Sequence, residues 1–288
     1  MTEVTAILAI RNEAAVLGAC LRHLVRNGVR IALIDNGSDD DSPRIYGAPE
    51  FASHLVEVQR LPFTGAFSLE AQLSAKHALA ERLGGGWIIH LDADEMMHSY
   101  RPGETLAAAF ARIGAAGWNA VNFDEFVFLP IERDYPGAAD GFPDLHLYYL
   151  HEPGTPRLMR AWRTGSGLSM QASGGHHLEG ADLRLAPESF ALRHYMFRSQ
   201  AHAYEKYPRR AFERSEIDRG WHTSRVGQPR ERYRFPAAEQ LKRLADVNDR
   251  RLDKSDPWSR HYWMADPRSL RERLKRVAAR VRLAAKAR

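Results

Sequence analysis

Three acidic residues directly after an apolar run have the types and spacing for metal chemistry. Residues 87–91 follow three glycines and are typical of a buried strand, and Asp92, Asp94 and Glu95 come at its end. Aspartates two apart on an extended segment point the same way, so they can share one hard divalent cation. Mg²⁺ or Mn²⁺ held by one or two carboxylates usually completes its shell with water and substrate phosphates. The spacing favours a Mn²⁺ or Mg²⁺ site and a nucleotide-diphosphate substrate; an acidic loop after a core strand is the alternative for these residues alone.

The segments around this acidic group alternate between strand and helix patterns. The apolar runs typical of buried strands are residues 4–10, 31–35, 55–58 and 87–92. Residues 14–26 have helical spacing and stop before Gly28, and a second helix is expected after the capping residue Ser68. This alternation predicts an α/β fold with a parallel sheet, and ligands of such sheets bind beyond the carboxyl ends of the strands.

The second half of the chain adds further acidic and basic candidates. Residues 119–129 are strand-like and contain Asp124 and Glu125, and residues 190–195 form another strand pattern that contains His194. The segment 130–157 is rich in Pro, Gly and Asp, so we expect a long loop over the site.

The composition is that of a soluble globular enzyme. The chain has 288 residues, 44% of them hydrophobic and 27% charged, enough for one large domain or one domain with an extension. No apolar run approaches the ~20 residues of a membrane span. The lone Cys20 cannot form an intramolecular disulfide, and the N-terminus lacks a signal-peptide profile, so we expect a cytoplasmic protein.

The charge is unevenly distributed along the chain. Residues 1–197 carry 16 Lys and Arg against 24 Asp and Glu, whereas residues 198–288 carry 25 against 12. The basic end therefore either binds an anionic partner or packs on the acidic body. Residues 268–288 have an apolar stripe flanked by basic residues, which predicts peripheral contact with the inner membrane face or, alternatively, an ordinary packed helix. No motif for reading bases is present, so no nucleic-acid partner is expected.

Three motifs in order resemble the signatures of family-2-like glycosyltransferases with the GT-A fold, in their bacterial D-x-D subgroup. The three motifs are Ala9-Ile10-Arg11-Asn12-Glu13, Leu33-Ile34-Asp35-Asn36-Gly37-Ser38-Asp39-Asp40 and Leu91-Asp92-Ala93-Asp94-Glu95. A weaker match to a bacterial subgroup lies in Gly175-His176-His177 and in His194-Tyr195-x3-Ser199-x5-Glu205-Lys206. The Glu-Asp and Gln-x-x-Arg-Trp motifs of processive polysaccharide synthases are absent, which argues against such a synthase.

The resemblance implies a fold and a domain organisation. The fold is a GT-A type, Rossmann-like, mostly parallel α/β sheet with helices on both faces and a basic helical C-terminal extension. Residues 1–197 would form the catalytic domain, with a nucleotide-sugar-binding half at 1–130 and an acceptor half at 131–197. Residues 198–288 would form the basic, mainly helical C-terminal region.

The resemblance also implies roles for particular residues. The nucleotide would be bound by Arg11, Asn12, Glu13, Asp35, Asn36 and Asp92. The metal would be bound by Asp92, Asp94 and His194. Inversion of the sugar requires a carboxylate base, for which Glu179 and Asp182 come first and Asp124 and Glu125 are the rival pair.

The resemblance thus implies an inverting, metal-dependent hexosyltransferase. It would move a sugar from a UDP-type or GDP-type donor to a glycan or lipid-linked acceptor, in envelope or extracellular glycan synthesis. The alternatives are a non-catalytic nucleotide-sugar-binding protein and a D-x-D phosphohydrolase. The second alternative is disfavoured because those enzymes carry D-x-D on the first strand, whereas here it follows about the fourth.

Overall fold

The computed structural model describes residues 2–132, 134, 144–154, 156–222 and 224–264. The predicted basic helix at 268–288 lies outside these residues, as do residues 133, 135–143 and 155 of the predicted long loop at 130–157. Residues 147–151 of that segment form a strand instead of a loop, and all five are buried. Within the described part of the chain, no helix has the length and apolar character needed to cross a membrane.

Ten strands and six α-helices follow one another along the chain. The strands are β1 (Glu3–Ile10), β2 (Arg30–Asp35), β3 (Leu55–Arg60), β4 (Gly86–Leu91), β5 (Glu95–His98), β6 (Ala120–Phe128), β7 (Leu147–His151), β8 (Met159–Arg163), β9 (Phe190–His194) and β10 (Lys242–Arg243). The helices are α1 (Ala14–Arg26), α2 (Ser42–Tyr46), α3 (Leu69–Leu83), α4 (Leu106–Ala115), α5 (Gln200–Lys206) and α6 (Arg214–Asp218). These counts refer to the residues that the structure describes.

The first four strands form the parallel part of the sheet. β1 lies between β2 and β4, and β3 pairs with the outer edge of β2, all in parallel. Alternate residues of β1 face opposite layers: Leu8 packs with Leu17 of α1, and Ile7 packs with Leu73 of α3. Helices therefore cover both faces, as predicted, and the carboxyl ends of β1, β2 and β4 meet at one edge.

The remaining strands extend this sheet with mostly antiparallel pairs. β8 pairs with β4 and β6, and β7 pairs with β6, all antiparallel. β9 lies parallel to β6 and antiparallel to the short β5. The predicted α/β class with a parallel sheet in the first half of the chain is confirmed. The β5–β9 pair sets His194 opposite Glu95, directly beside the acidic turn after β4.

The described part of the C-terminal region is less helical than predicted. Between residues 198 and 264 it contains α5, α6, two short 3₁₀ helices and otherwise mostly irregular chain. Aromatic packing supplies much of its order: Phe197, Tyr207, Tyr233 and Trp263 share one buried cluster. β10 also pairs with β7, so this region packs directly on the sheet. Side-chain packing holds these segments in place. Because such packing produces no helical spacing of apolar residues, the sequence pattern could not predict it.

Candidate active site

A cavity of about 510 Å³ opens at the carboxyl edge of the parallel strands. Its charged lining is mostly basic. The lining Lys and Arg residues are Arg11, Lys76, Arg157, Arg160, Lys206, Arg209, Arg210 and Arg225. The lining carboxylates are Glu13, Asp92, Asp94 and Glu125. Eight basic side chains against four acidic ones favour an anionic ligand.

Asp94 is held by two cationic side chains from late in the chain. Lys206 Nζ donates to Asp94 Oδ2 at 2.8 Å, and His194 Nε2 lies 3.5 Å from Asp94 Oδ1. The backbone fixes this arrangement, since Tyr195 N donates to the Asp94 carbonyl at 2.8 Å. Burial raises the pKa of Asp94, but Lys206 and His194 outweigh it and hold that pKa well below its usual value. Asp94 is therefore a carboxylate at neutral pH.

His194 lies between two carboxylates. Its Nδ1 is 2.7 Å from Glu125 Oε1, and its Nε2 faces Asp94. Burial lowers the pKa of His194, but Asp94 and Glu125 raise it well above its usual value. Each ring nitrogen faces a carboxylate oxygen, and this arrangement favours the doubly protonated, cationic form of His194.

Asp92 also has protein cations as partners. Its Oδ1 lies 3.5 Å from Lys76 Nζ and its Oδ2 lies 3.9 Å from an Arg160 nitrogen. Arg160 binds the buried Glu95 at 3.2 Å as well. Burial raises the pKa of Asp92, but Lys76 and Arg160 outweigh it and lower that pKa. The Asp92 side chain remains 44% exposed, so it can reach a ligand in the cavity.

The predicted metal ligands do come together, but their partners do not suit a divalent cation. Both Asp94 oxygens face protein cations, and His194 has no free lone pair while it is protonated. A metal would have to displace Lys206 and remove the proton from His194. The donor set as it stands therefore fits an anion-binding site better than a cation site.

A second group of possible ligands lies deeper in the same region. One ligand atom each from Glu125, His151 and His261 lie within 4.8 Å of one another, and all three residues are buried. The two imidazole rings are stacked, however, with centroids 3.7 Å apart and planes 23° from parallel. Because each lone pair lies in its own ring plane, two nearly parallel rings do not direct their lone pairs at one point. Glu125 is also bound to Arg157.

The predicted nucleotide-binding residues after β1 line the cavity or its rim. Arg11 donates to the carbonyls of Asn36 and Gly37, and its guanidinium stacks on Phe63 at 3.6 Å from the ring centre. Asn12 has a φ of 57° and exchanges two hydrogen bonds with Asp39, at 2.6 and 2.9 Å. These contacts join the loops after β1 and β2 into one rigid rim.

Glu13 differs from the other carboxylates of the cavity. It is partly buried at the entry to α1, and burial raises its pKa to about 7 although Lys206 opposes this. The pKa values of Asp92, Asp94 and Glu125 are all lowered. Among the lining carboxylates, Glu13 alone therefore exchanges a proton near neutral pH.

Asp35 does not line the cavity, contrary to its predicted contact with the base or ribose. It is buried, its Oδ1 accepts from Ser38 N at 2.8 Å, and its Oδ2 accepts from the Tyr46 hydroxyl at 3.0 Å. Asp35 therefore shapes the loop after β2. Asn36, its neighbour, does line the cavity, and its Nδ2 donates to the carbonyls of Leu61 and Pro62.

The structure also places the first candidates for the base away from the cavity. Glu179 and Asp182 are exposed and do not belong to its lining. Asp124 accepts from Tyr100 at 2.7 Å and from Lys254 at 2.5 Å, on the other face of β6 from the lining residue Glu125. The prediction of Glu179, Asp182 and Asp124 as candidates for the base is therefore corrected. Their positions in the sequence did not show which face of a strand, or which loop, would line the cavity.

Lys206 and Arg160 are site residues to which the sequence assigned no role. Lys206 ended the weaker motif after His194, but a lysine at the end of a basic helix gave no sign of burial. Arg160 lies in β8, and the alternation of polar and apolar residues along that strand did not predict that its side chain would face Asp92. The tertiary packing of α5 and β8 brings both groups to the acidic turn.

No protein-family model matches the sequence, and no curated protein matches it either. Some solved structures have a similar arrangement at low identity. TarS of S. aureus has a TM-score of 0.42 at 12% identity, over 75% of this chain and 42% of that one. The mannosyltransferase PcManGT of Pyrobaculum calidifontis, solved with GDP-Man and Mn²⁺, has a TM-score of 0.40 at 15% identity, over 71% and 61%. GalNAc-T7, solved with UDP, GalNAc and Mn²⁺, has a TM-score of 0.40 at 13% identity, over 82% and 52%. This chain thus spans less than two thirds of each of these three proteins, and similarities of this size do not assign it to a family.

Proposed function

We propose that this protein is a glycosyltransferase that moves a sugar from a nucleotide-diphosphate sugar to an acceptor hydroxyl. The observation that carries the proposal is the basic cavity at the carboxyl ends of β1 and β4, with Lys206 and Arg160 beside the Asp92–Asp94 turn. The ordered motifs of a family-2-like glycosyltransferase, in which that turn is the D-x-D element, support it. The donor class is a UDP-type or GDP-type sugar, and the reaction is inverting hexosyl transfer.

The chemistry of the cavity suits departure of a diphosphate. Fixed cations aimed at the place where negative charge develops lower the barrier, because they need no reorganisation during the reaction. Lys206, Lys76 and Arg160 are such groups, since each is already fixed by a carboxylate at the base of the cavity. A sugar bound beyond them would have its anomeric carbon exposed to an acceptor from the open side.

Glu13 is our candidate for the base that removes the acceptor proton. It lines the cavity, and its pKa of about 7 suits proton exchange at neutral pH. Asp92 and Asp94, with lowered pKa values, are weaker bases and instead fix the cations. The resemblance gave Glu13 a place near the nucleobase, so this role replaces that one in the proposal.

The glycan or lipid-linked acceptor and the envelope setting belong to the same proposal, whereas the predicted Mn²⁺ or Mg²⁺ does not, because Lys206 and His194 already face Asp94. A cytoplasmic location with peripheral contact at the inner membrane face belongs to that proposal as well. The donor and its turnover can be tested first, because they do not depend on the acceptor being a lipid.

The deciding experiment incubates the full-length protein with UDP-sugars and GDP-sugars and a panel of glycan acceptors. We expect release of the matching nucleoside diphosphate together with a glycosylated product, and loss of both with Arg160→Met. Arg184→Met, at an exposed arginine outside the cavity lining, is the matched control.

The same assay separates the two alternatives. Nucleotide-sugar binding without turnover, for any acceptor, would indicate a binding protein. Release of inorganic phosphate from a phosphomonoester would indicate a phosphohydrolase. Either result would contradict glycosyl transfer.

A further inference from the structure

Lys206 is placed like a built-in counterion for the D-x-D turn. It ends α5, whose first turn is capped by Ser199 accepting from His202 N at 3.0 Å. Its Nζ donates to Asp94 Oδ2 at 2.8 Å and to the Met196 carbonyl at 2.9 Å. An ammonium group has three donors, so within the described residues one remains for a ligand in the cavity that Lys206 lines.

His194 supports the same arrangement from the opposite side of Asp94. Each of its ring nitrogens faces a carboxylate oxygen, of Glu125 at 2.7 Å and of Asp94 at 3.5 Å. In this position the ring serves both carboxylates by donating to them. To bind a metal cation, His194 would have to be deprotonated at one of these nitrogens and give up the carboxylate partner of that nitrogen.

Asp92 completes the pattern. Its two oxygens face Lys76 at 3.5 Å and Arg160 at 3.9 Å. The two aspartates of the turn thus have four protein cations around them: two Lys, one Arg and one His.

The energetics oppose a divalent cation at this place. A metal bound by Asp94 would displace Lys206, and a buried ammonium left without its partner is strongly destabilising. The dication would also lie close to Arg160 and His194. A diphosphate, by contrast, adds negative charge where eight lining Lys and Arg face four carboxylates.

We infer that this protein neutralises the diphosphate of its nucleotide with its own side chains, chiefly Lys206, and binds that nucleotide without a divalent cation. The inference rests on the proposed function, of which it specifies the diphosphate site. It replaces the predicted Mn²⁺ or Mg²⁺ with Lys206, Lys76, Arg160 and His194. The aspartates then position these cations instead of binding metal.

The first test measures the dissociation constants of UDP and GDP for the full-length protein by titration calorimetry. One series contains EDTA and the other contains Mn²⁺. We expect the better nucleotide to bind with affinities within about threefold of each other in the two series. Binding at least about tenfold tighter with Mn²⁺ would overturn the inference while leaving the proposed function intact. No binding of either nucleotide in either series would contradict the proposed function, and the inference with it.

Two variants give opposite expectations for the two interpretations. Asp94→Asn removes one negative charge but keeps a side-chain oxygen that can accept from Lys206 Nζ, so it should tighten nucleotide binding in EDTA. Loss of a metal ligand would instead weaken binding in Mn²⁺. Lys206→Met should weaken binding in EDTA at least about tenfold and, by freeing Asp94, should make binding sensitive to Mn²⁺. Lys206→Arg keeps the charge and is the matched control, with weaker impairment expected.

Thermal unfolding of each variant shows whether the variant folds as the wild type does. If Lys206→Met does not fold, the Asp94→Asn comparison still decides, because its two outcomes have opposite signs. Asp94→Asn that binds more weakly in EDTA, with a wild-type unfolding temperature, would also overturn the inference.

Discussion

At the scale of single residues, the proposed function depends on the different pKa values of the four carboxylates that line the cavity. Asp92, Asp94 and Glu125 each have cationic partners that lower their pKa values despite burial. For Glu13 burial prevails, and its pKa rises to about 7. Pairs of groups separated in this way are a common means of assigning acid–base roles.

Glu13→Gln is nearly isosteric and should preserve nucleotide binding while lowering transfer by about 10²–10⁴-fold. The wild-type rate should fall as the pH drops below about 7, because the base becomes protonated. The measurement is a pH profile of kcat/KM for wild type and variant. Full activity in Glu13→Gln, or a wild-type profile flat from pH 5.5 to 8, would exclude Glu13 as the base.

His194 links the site to the stability of the fold. Its folded-state pKa is raised well above the unfolded value, by Asp94 and Glu125 against the effect of burial. Its contribution to the free energy of unfolding is therefore fully present below the unfolded pKa of about 6.5 and is lost as pH rises through the folded pKa.

We accordingly expect wild-type protein to lose stability more steeply than His194→Gln as the pH rises above about 6.5. Urea unfolding at several pH values provides the measurement, and His177→Gln, at a histidine outside the cavity lining, is the control. Parallel pH dependences for wild type and His194→Gln would show that the histidine is neutral in the folded protein.

At the scale of elements, two sets of hydrogen bonds hold the loop after β2. One set is made by Asp35 at the end of β2, and the other is made by the loop after β1. Asp35 accepts from Ser38 N and from Tyr46 of α2, and Asn12 exchanges hydrogen bonds with Asp39. These bonds keep Asn36 and Arg11 at the rim of the cavity, so the rim is rigid before a ligand arrives.

Asp35→Ala should therefore act on the loop first and on the ligand second. It leaves the partly buried Ser38 N–H and the buried Tyr46 hydroxyl without their acceptor, and losing the acceptor of such groups costs about 1–3 kcal/mol of unfolding free energy. Tyr46→Phe removes only one of the two bonds and should cost less. Chemical denaturation and nucleotide titration of both variants provide the comparison. Weakened nucleotide binding with unchanged stability in Asp35→Ala would instead indicate direct contact with the nucleoside.

At the scale of the whole molecule, the acidic segment 1–197 and the basic segment after residue 198 both contribute side chains to the cavity. Residues after 198 supply Lys206, Arg209, Arg210 and Arg225 to its lining, and the N-terminal half supplies three of its four carboxylates before residue 95. Part of the charge asymmetry is therefore resolved inside the molecule. The remaining basic residues include those of 268–288, which lie outside the described residues.

The basic residues of 268–288 give a prediction for the 288-residue chain. Nine Lys or Arg between residues 268 and 288 face a single acidic residue, so we expect binding to anionic vesicles that weakens with salt. Co-sedimentation with anionic and neutral vesicles tests this for the full chain and for a variant that ends at Pro267. Equal pelleting of the two proteins on anionic vesicles at low salt would contradict membrane contact by residues 268–288.

The sequence by itself determined the alternation of strands and helices in the first half and the place of the acidic turn at the end of β4. Both depend on local patterns: the period of apolar residues and the turn residues that end them. The same patterns marked His194 and the loops after β1 and β2. They could not show that Glu179 and Asp182 would be exposed, or that Asp35 would turn into the loop.

Only the tertiary structure decided the partners of the turn. Lys206 meets Asp94 across 112 residues and Arg160 meets Glu95 across 65. Such pairs depend on the order of the strands in the sheet and on the register of β9 against β5, neither of which leaves a local period in the sequence. The number of cations around a carboxylate decides whether it holds a metal or a lysine, and that number exists only once distant segments have packed together.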